Sequence, residues 1–138
     1  MKLRALAVVL ALPCMAAAQG AASAPAACPT AAEVMQRHLL GLWRAEFDGL
    51  AQGATLLLEP HPELSESVRG AINRNGERAW LAGDVTDGEL TLEESVNGTN
   101  ISAVWLGDVV DGSCGREIRG GWRAEGSATT FQFVLRKQ

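Results

Sequence analysis

Three tryptophans, Trp80, Trp105 and Trp122, are the side chains of this 138-residue chain best suited to bind a small molecule. Indole rings offer large, flat, apolar surfaces at low cost in conformational entropy, so an apolar or amphipathic ligand could pack against them. The same rings could instead form the core, because a β-barrel of about eight strands has just enough interior for side chains to fill it. The sequence leaves a ligand cavity and a filled core open as alternatives.

Four aspartates at the ends of a short internal repeat could bind Ca²⁺. The segment 80–88 (WLAGDVTDG) recurs, one residue shorter, as 105–112 (WLGDVVDG). The offset of about 25 residues equals two strands and two turns, so both copies are expected to end at the same barrel rim. Turn formation alone explains Asp before Gly, and a dedicated Ca²⁺ site needs six or more oxygen ligands. We therefore assign no metal site to these residues, Asp84, Asp87, Asp108 and Asp111.

Catalysis has little support in the sequence. The segment 59–63 (EPHPE) places His61 between two carboxylates, but its prolines indicate a rigid exposed loop, and no further metal ligands converge on this histidine. A nucleophilic hydrolase needs Ser or Cys, a His and an orienting carboxylate. His38 lies on the buried face of a predicted helix, and no nucleophile elbow is present. We expect no enzyme activity and no cofactor.

The elements that would position these residues are short β-strands. Turn signals, most of them Gly preceded by Asn, Asp or Glu, divide residues 42–136 into segments rich in Val, Leu, Ile, Thr and Trp. Asn or Asp before Gly accepts the positive φ that a two-residue hairpin loop needs. We therefore expect an all-β fold, an eight-stranded antiparallel up-and-down barrel (a meander), because closure removes the exposed edges. The predicted strands are 42–47, 54–59, 67–74, 77–85, 89–95, 100–108, 113–123 and 128–136.

A short helix is predicted before the first strand. Thr30 and Glu33 have the spacing of a capping box, in which each side chain satisfies a free backbone N–H of the first turn. The helix is expected to run to about Leu40 and to end at Gly41. Its buried face should pack on the barrel or plug one end, and consists of Val34, Met35, His38 and Leu39.

The N-terminus has the features of a secretory signal peptide. A basic region (1–4) precedes an apolar stretch (5–12) that is far too short to span a bilayer as a mature helix. Small residues just before Gln19 favour cleavage there, so the protein is expected to be periplasmic or secreted, with no transmembrane segment. The expected organisation is a signal peptide at 1–18, a disordered leader at 19–29 and one β-barrel domain at 30–138.

Two cysteines remain after export. Cys14 is expected to leave with the signal peptide, since Pro13 replaces the small residue of a lipobox and makes a lipoprotein the less favoured alternative. An oxidising compartment would pair Cys28 with Cys114, which ties the N-terminal segment to a late strand.

The charge balance argues against two kinds of partner. Loss of Lys2 and Arg4 with the signal peptide leaves 10 of the 12 basic residues against 16 acidic ones, a net charge of −6. Nucleic acid and anionic membrane surfaces are therefore disfavoured.

Gly41-Leu42-Trp43, which opens the first predicted strand, resembles the G-x-W signature of the lipocalin and avidin superfamily of up-and-down barrels. The resemblance covers about residues 42–136. It implies that Trp43 lies at the closed end and that Arg136, from the last strand, packs across it. The short hairpins look more like avidin, and so does the segment 101–105 (ISAVW). The polar residues expected after the first Trp are absent and there is no Tyr, so the resemblance implies the fold and not biotin binding.

These observations predict an exported, non-catalytic binding protein. The first interpretation is a small barrel that holds an apolar or amphipathic small molecule through Trp80, Trp105 and Trp122. The alternative is an interaction with another envelope protein, or its inhibition, through the barrel rim.

Overall fold

The computed structural model describes residue 20 and residues 28–138. Eight strands form one closed antiparallel barrel in which each strand pairs with its neighbours in the chain and the last pairs with the first, which confirms the predicted fold class. The predicted signal peptide, Cys14 and most of the predicted leader lie outside the described residues. The strands are β1 (Gly41–Phe47), β2 (Ala54–Pro60), β3 (Val68–Arg74), β4 (Glu77–Thr86), β5 (Glu89–Ser95), β6 (Ala103–Val109), β7 (Glu117–Ala124) and β8 (Phe131–Lys137).

Two of the predicted hairpin turns have two-residue loops. Asn75 and Gly76 have φ values of 51° and 96°, and Asp87 and Gly88 have 50° and 82°, the left-handed conformations that these turns require. The predicted strands β6, β7 and β8 begin too early, at 100, 113 and 128 instead of 103, 117 and 131. The loop before β6 shows why its strand begins late. Two backbone N–H groups of this loop donate to the Asn97 side chain, whereas in a strand they would be available to pair with a neighbouring strand.

The predicted N-terminal helix consists of two short pieces. A 3₁₀ turn (Ala31–Glu33) and helix α1 (Gln36–Leu39) are separated because Met35 is extended, with φ −123° and ψ 173°. The Thr30 N–H donates to the Glu33 carboxylate at 2.9 Å, and this bond lowers the Glu33 pKa from its ordinary value. Val34 and Leu39 are buried as expected, whereas Met35 is 54% exposed.

These two pieces close one end of the barrel, which we call the helical end. The Trp43 indole N–H donates to the Leu39 carbonyl at 2.7 Å, and Lys137 Nζ donates to the His38 carbonyl at 2.8 Å. The predicted disulfide between Cys28 and Cys114 is present and joins the start of this segment to the β6–β7 connection.

Lys137, and not Arg136, lies over the ring of Trp43, with Nζ 5.9 Å from the ring centroid. Side chains alternate between the two faces of β8, so Arg136 points outward, where it pairs with Glu46 and Glu117. Burial, and then the nearby Arg116, lowers the Lys137 pKa.

The barrel interior is filled by apolar side chains that alternate along each strand with exposed residues. Within residues 20 and 28–138, no helix is long and apolar enough to span a membrane. The largest fully buried apolar side chains are Trp43, Trp105, Phe133, Leu39, Leu56, Leu58, Ile72, Leu90, Leu92, Ile118 and Leu135.

Candidate functional site

A buried carboxylate lies at the end of the barrel opposite the helical end. We call this second end the open end. Glu94 is on the inward face of β5, in alternation with Leu90 and Leu92, and is only 2% exposed. Burial of a carboxylate is costly unless its charge is paired and its oxygens accept hydrogen bonds. The neighbours of Glu94 therefore decide whether this site is stable.

Four charge-assisted hydrogen bonds reach the two oxygens of Glu94. The Arg74 guanidinium binds it in a bidentate manner, with Nη1 2.6 Å from Oε1 and Nη2 2.6 Å from Oε2. The indole N–H groups of Trp105 and Trp122 donate to Oε2 at 2.7 and 2.6 Å. In the described part of the chain, no buried side-chain nitrogen or oxygen lacks a hydrogen-bond partner. The carboxylate thus fixes the orientations of both indoles.

Aromatic rings enclose this carboxylate. Trp105 lies 4.9 Å from Phe133 and 5.3 Å from Phe47, centroid to centroid, in tilted or edge-to-face arrangements. The Arg74 guanidinium carbon stands 5.0 Å from the Trp122 ring centroid and 5.9 Å from that of Phe47. These are favourable aromatic and cation–π distances. The open end is therefore occupied by a packed cluster in which Arg74, 25% exposed, forms the outer layer.

Trp80 lies outside this cluster. It is on the outward face of β4 and is 63% exposed, more than any of the other tryptophans. A groove of about 510 Å³ on one side is lined in part by Ala82, Ser95, Asn100 and Ile101. A hollow of about 290 Å³, lined by Ala71, Arg78, Ala79 and Trp80 itself, lies on another side. Trp80 thus projects from the barrel wall between two depressions.

The length difference in the internal repeat explains why equivalent tryptophans point in opposite directions. Gly83-Asp84-Val85 on β4 and Gly107-Asp108-Val109 on β6 have the same orientation, with Asp outward and Val buried. Trp80 stands three residues before its Gly, and Trp105 only two before its own. Because side chains alternate with a period of two, this one-residue difference moves the indole to the other face.

The structure brings Trp105 and Trp122 together on Glu94 and separates both from Trp80. Sequence reasoning missed Glu94 and Arg74. A signal was present, since Glu94 continues the inward alternation of Leu90 and Leu92.

The aspartates and histidines that the sequence analysis examined as metal or catalytic residues are exposed to solvent or accept hydrogen bonds from nearby backbone groups. The aspartates at 84, 87, 108 and 111 are all exposed, and among the residues described no group of three or more His, Cys, Asp or Glu side chains is placed to hold a metal ion. His61 Nδ1 accepts the backbone N–H groups of Glu63 and Leu64. His38 Nδ1 accepts the Met35 N–H at 2.9 Å. Burial, followed by neighbouring positive charges, lowers the His38 pKa, so its neutral form is favoured.

Neither the protein-family models nor the curated proteins compared with this chain match it. The closed eight-stranded meander is consistent with a calycin-like fold, the barrel of the lipocalin and avidin superfamily whose G-x-W signature Gly41-Leu42-Trp43 resembles. The likeness is one of fold.

Proposed function

We propose that this protein is an exported, non-catalytic binding protein that recognises a partner protein through the outer surface around Trp80, near the open rim of the barrel. The observation that carries the proposal is the contrast between a filled interior and a large, 63% exposed indole on the outside. The disulfide between Cys28 and Cys114 supports an oxidising compartment, since such bonds persist outside the cytoplasm.

The surface, which we call the Trp80 face, consists of Leu57, Ala71, Trp80, Ala82 and Ile101. Leu57, Ala71 and Trp80 are consecutive partners in register across β2, β3 and β4. Leu57 is 42% and Ile101 44% exposed. Contiguous exposed apolar side chains of this kind are typical of interaction sites in soluble proteins.

The energetic gain from covering Trp80 would be substantial. A Trp side chain contributes roughly 200 Å² of surface, so burial of its exposed 63% would stabilise a complex by about 3 kcal/mol at 25 cal/mol per Å². This is the scale of an interface hot spot, a role in which Trp is enriched. The two depressions beside the indole offer room for side chains of a partner.

Site-specific photocrosslinking in the native envelope tests the proposal. A photoreactive residue at Ile101 should give a defined crosslinked product, whereas the same residue at exposed Gln132, on β8, should not. Trp80→Ala should abolish the product from position 101. Equal crosslinking from both positions, or an unchanged product in the variant, would show that this surface does not select a partner.

A second candidate is the binding of an amphipathic small molecule in the groove of about 510 Å³. Its volume lies in the range of small-molecule sites, and Trp80 and Ile101 supply apolar contacts beside polar Ser95 and Asn100. Titration with the fluorescent probe anilinonaphthalene sulfonate tests this candidate, with saturable binding expected in the wild type and lost in Trp80→Ala. Binding of equal affinity in the variant would count against the groove.

A further inference from the structure

We infer that the open end of the barrel contains a binding site for a small molecule with a guanidinium group, and that the Arg74 side chain occupies this site as an internal ligand. We call the surrounding groups the Glu94 cage. It consists of the Glu94 carboxylate and the rings of Phe47, Trp105 and Trp122. The cage faces the barrel interior and not its outer surface, so this inference is independent of the proposed function.

The Glu94 cage matches a guanidinium group in both shape and charge. Nη1 and Nη2 of Arg74 each lie 2.6 Å from a different oxygen of the Glu94 carboxylate, which is only 2% exposed. The guanidinium carbon lies 5.0 Å from the ring centroid of Trp122 and 5.9 Å from that of Phe47. A bidentate carboxylate and aromatic faces are the groups by which proteins bind planar organic cations. These contacts use only the guanidinium group, so a ligand with the same group can make them.

Arg74 has a second carboxylate within reach. It ends β3, Glu77 begins β4, and the two are register partners across the turn at Asn75-Gly76. Glu77 is exposed and forms no ion pair within residues 28–138. Because the Cβ atoms of register partners are about 4.5–5.5 Å apart, Arg74 can exchange Glu94 for Glu77 by rotation of its side chain. This exchange keeps the arginine charge paired while it frees the Glu94 cage for a ligand.

The charges around the open end favour the approach of a cation. The four loops at this end are 48–53, 75–76, 96–102 and 125–130. They carry the carboxylates of Asp48 and Glu125, both exposed, and contain no Lys or Arg. The arginines on the adjoining parts of the strands, Arg44, Arg78 and Arg123, project from the outer face of the wall. A local excess of carboxylates raises the concentration of cations near the cage.

The packing around the cage decides how a ligand would be oriented. On the inner side, Trp105 and Phe133 are fully or almost fully buried, with ring centroids 4.9 Å apart, and leave no room for a further group. On the outer side, Trp122 and Phe131 are half-buried, with centroids 6.0 Å apart. The guanidinium group therefore enters first, and a short apolar or aromatic tail lies against these two outer rings. Phenylguanidinium has this form.

NMR titration of the mature, oxidised protein with phenylguanidinium chloride tests the site in the wild type. The indole N–H signals of Trp105 and Trp122 should shift along one common saturation curve, because both groups donate to Glu94. Trp43 is the internal control, since its indole bonds to a carbonyl at the helical end and its signal should not move. Benzylammonium has the same charge but no planar fork, so it should bind at least about 10-fold more weakly.

Two variants test the role of Arg74 as the internal ligand. Arg74→Ala should bind phenylguanidinium at least about 10-fold more tightly than the wild type, because competition for the cage is removed. Glu77→Gln should weaken binding in the wild type, since displaced Arg74 then lacks its second partner, and should have no effect in Arg74→Ala. The matched control is Arg69→Ala, because Arg69 is an exposed arginine on the same strand that forms no ion pair within the described residues. This control should bind like the wild type.

Chemical rescue covers the case in which Arg74→Ala is too unstable for titration. Ethylguanidinium supplies the atoms that this substitution removes beyond Cβ. At about 10 mM it should raise the melting temperature of Arg74→Ala by roughly 5 °C, or restore its fold, with a smaller effect on Arg69→Ala.

Three results would overturn the inference. The first is a wild-type protein in which the Trp105 and Trp122 signals show no saturable shift with phenylguanidinium. The second is equal binding of benzylammonium, which would remove the selection for a guanidinium group. The third is an Arg74→Ala variant that binds no more tightly than the wild type or, if unfolded, is not restored by ethylguanidinium. None of these results bears on crosslinking at position 101, which tests the proposed function separately.

Discussion

Replacement of Glu94 by Gln should destabilise the fold by about 3 kcal/mol. The change removes the negative charge from a side chain that is 2% exposed and leaves the Arg74 charge without its partner. It also puts an amide NH₂ group where an oxygen now accepts N–H donors. Breaking a buried pair in this way costs about 3–5 kcal/mol, and the lower end applies because Arg74 is 25% exposed and water screens its charge.

Urea unfolding, followed by tryptophan fluorescence and extrapolated linearly to water, measures this loss. The neighbouring Glu93→Gln is the matched control, since Glu93 is exposed and forms no ion pair within the described residues. Its free energy of unfolding should stay within about 0.5 kcal/mol of the wild type. The melting temperature of Glu94→Gln should fall by roughly 10 °C, as expected for a domain of this size.

The double variant Arg74→Met with Glu94→Gln isolates the interaction. Met removes the guanidinium donors, so the Gln carbonyl can still accept the indole N–H groups of Trp105 and Trp122 while the amide NH₂ faces no donor. We expect the double variant to lose at least about 1 kcal/mol less than the sum of the single losses. The reasoning is refuted if Glu94→Gln unfolds like Glu93→Gln, or if the two single losses simply add.

Three further predictions concern other parts of the barrel. Replacing Cys28 and Cys114 by Ser should cost about 4–5 kcal/mol on the chain-entropy model for a separation of 86 residues, measured by urea unfolding; a loss below about 1 kcal/mol would contradict it. Gly83→Ala should lower stability by more than about 3 kcal/mol because its Cβ would overlap the backbone of β5, whereas Gly112→Ala, with open space around it but φ +78°, should lose only about 1 kcal/mol. Thermal unfolding compares the two, and equal losses would refute the steric reason. His38 has a lowered pKa in the folded state, so the unfolded chain takes up its proton first, and stability should fall as pH drops below about 6.5. NMR titration of its ring should give a midpoint below that value, and the stability of His38→Asn should depend less on pH in this range.

Strand order was predictable because its signals are local. Asn75-Gly76 and Asp87-Gly88 turn the chain within two residues, and only antiparallel neighbours can follow such turns. The predicted starts of β6, β7 and β8 are too early because longer loops precede these strands. Backbone groups in such loops bond to side chains and turns, as in the loop where the Asn97 side chain accepts two backbone N–H groups. A pattern of apolar residues does not distinguish such a loop from a continued strand.

The orientation of single side chains was harder to predict. The repeat made Trp80 and Trp105 look equivalent, yet one residue of difference in length reversed the face. The residue that lies over Trp43 also differs by one position from the prediction, since it is Lys137 and not Arg136. Counting the alternation outward from buried neighbours would have found both.

By itself, the amino-acid sequence determined the all-β class, the number of strands, their antiparallel order and the cysteines that pair, because turn residues and alternation act over a few neighbouring positions. Only the tertiary structure decided that Arg74, Glu94, Trp105 and Trp122, which come from four different strands, meet at one point. Barrel closure sets which strands lie opposite one another, and that depends on the register of all eight strands together.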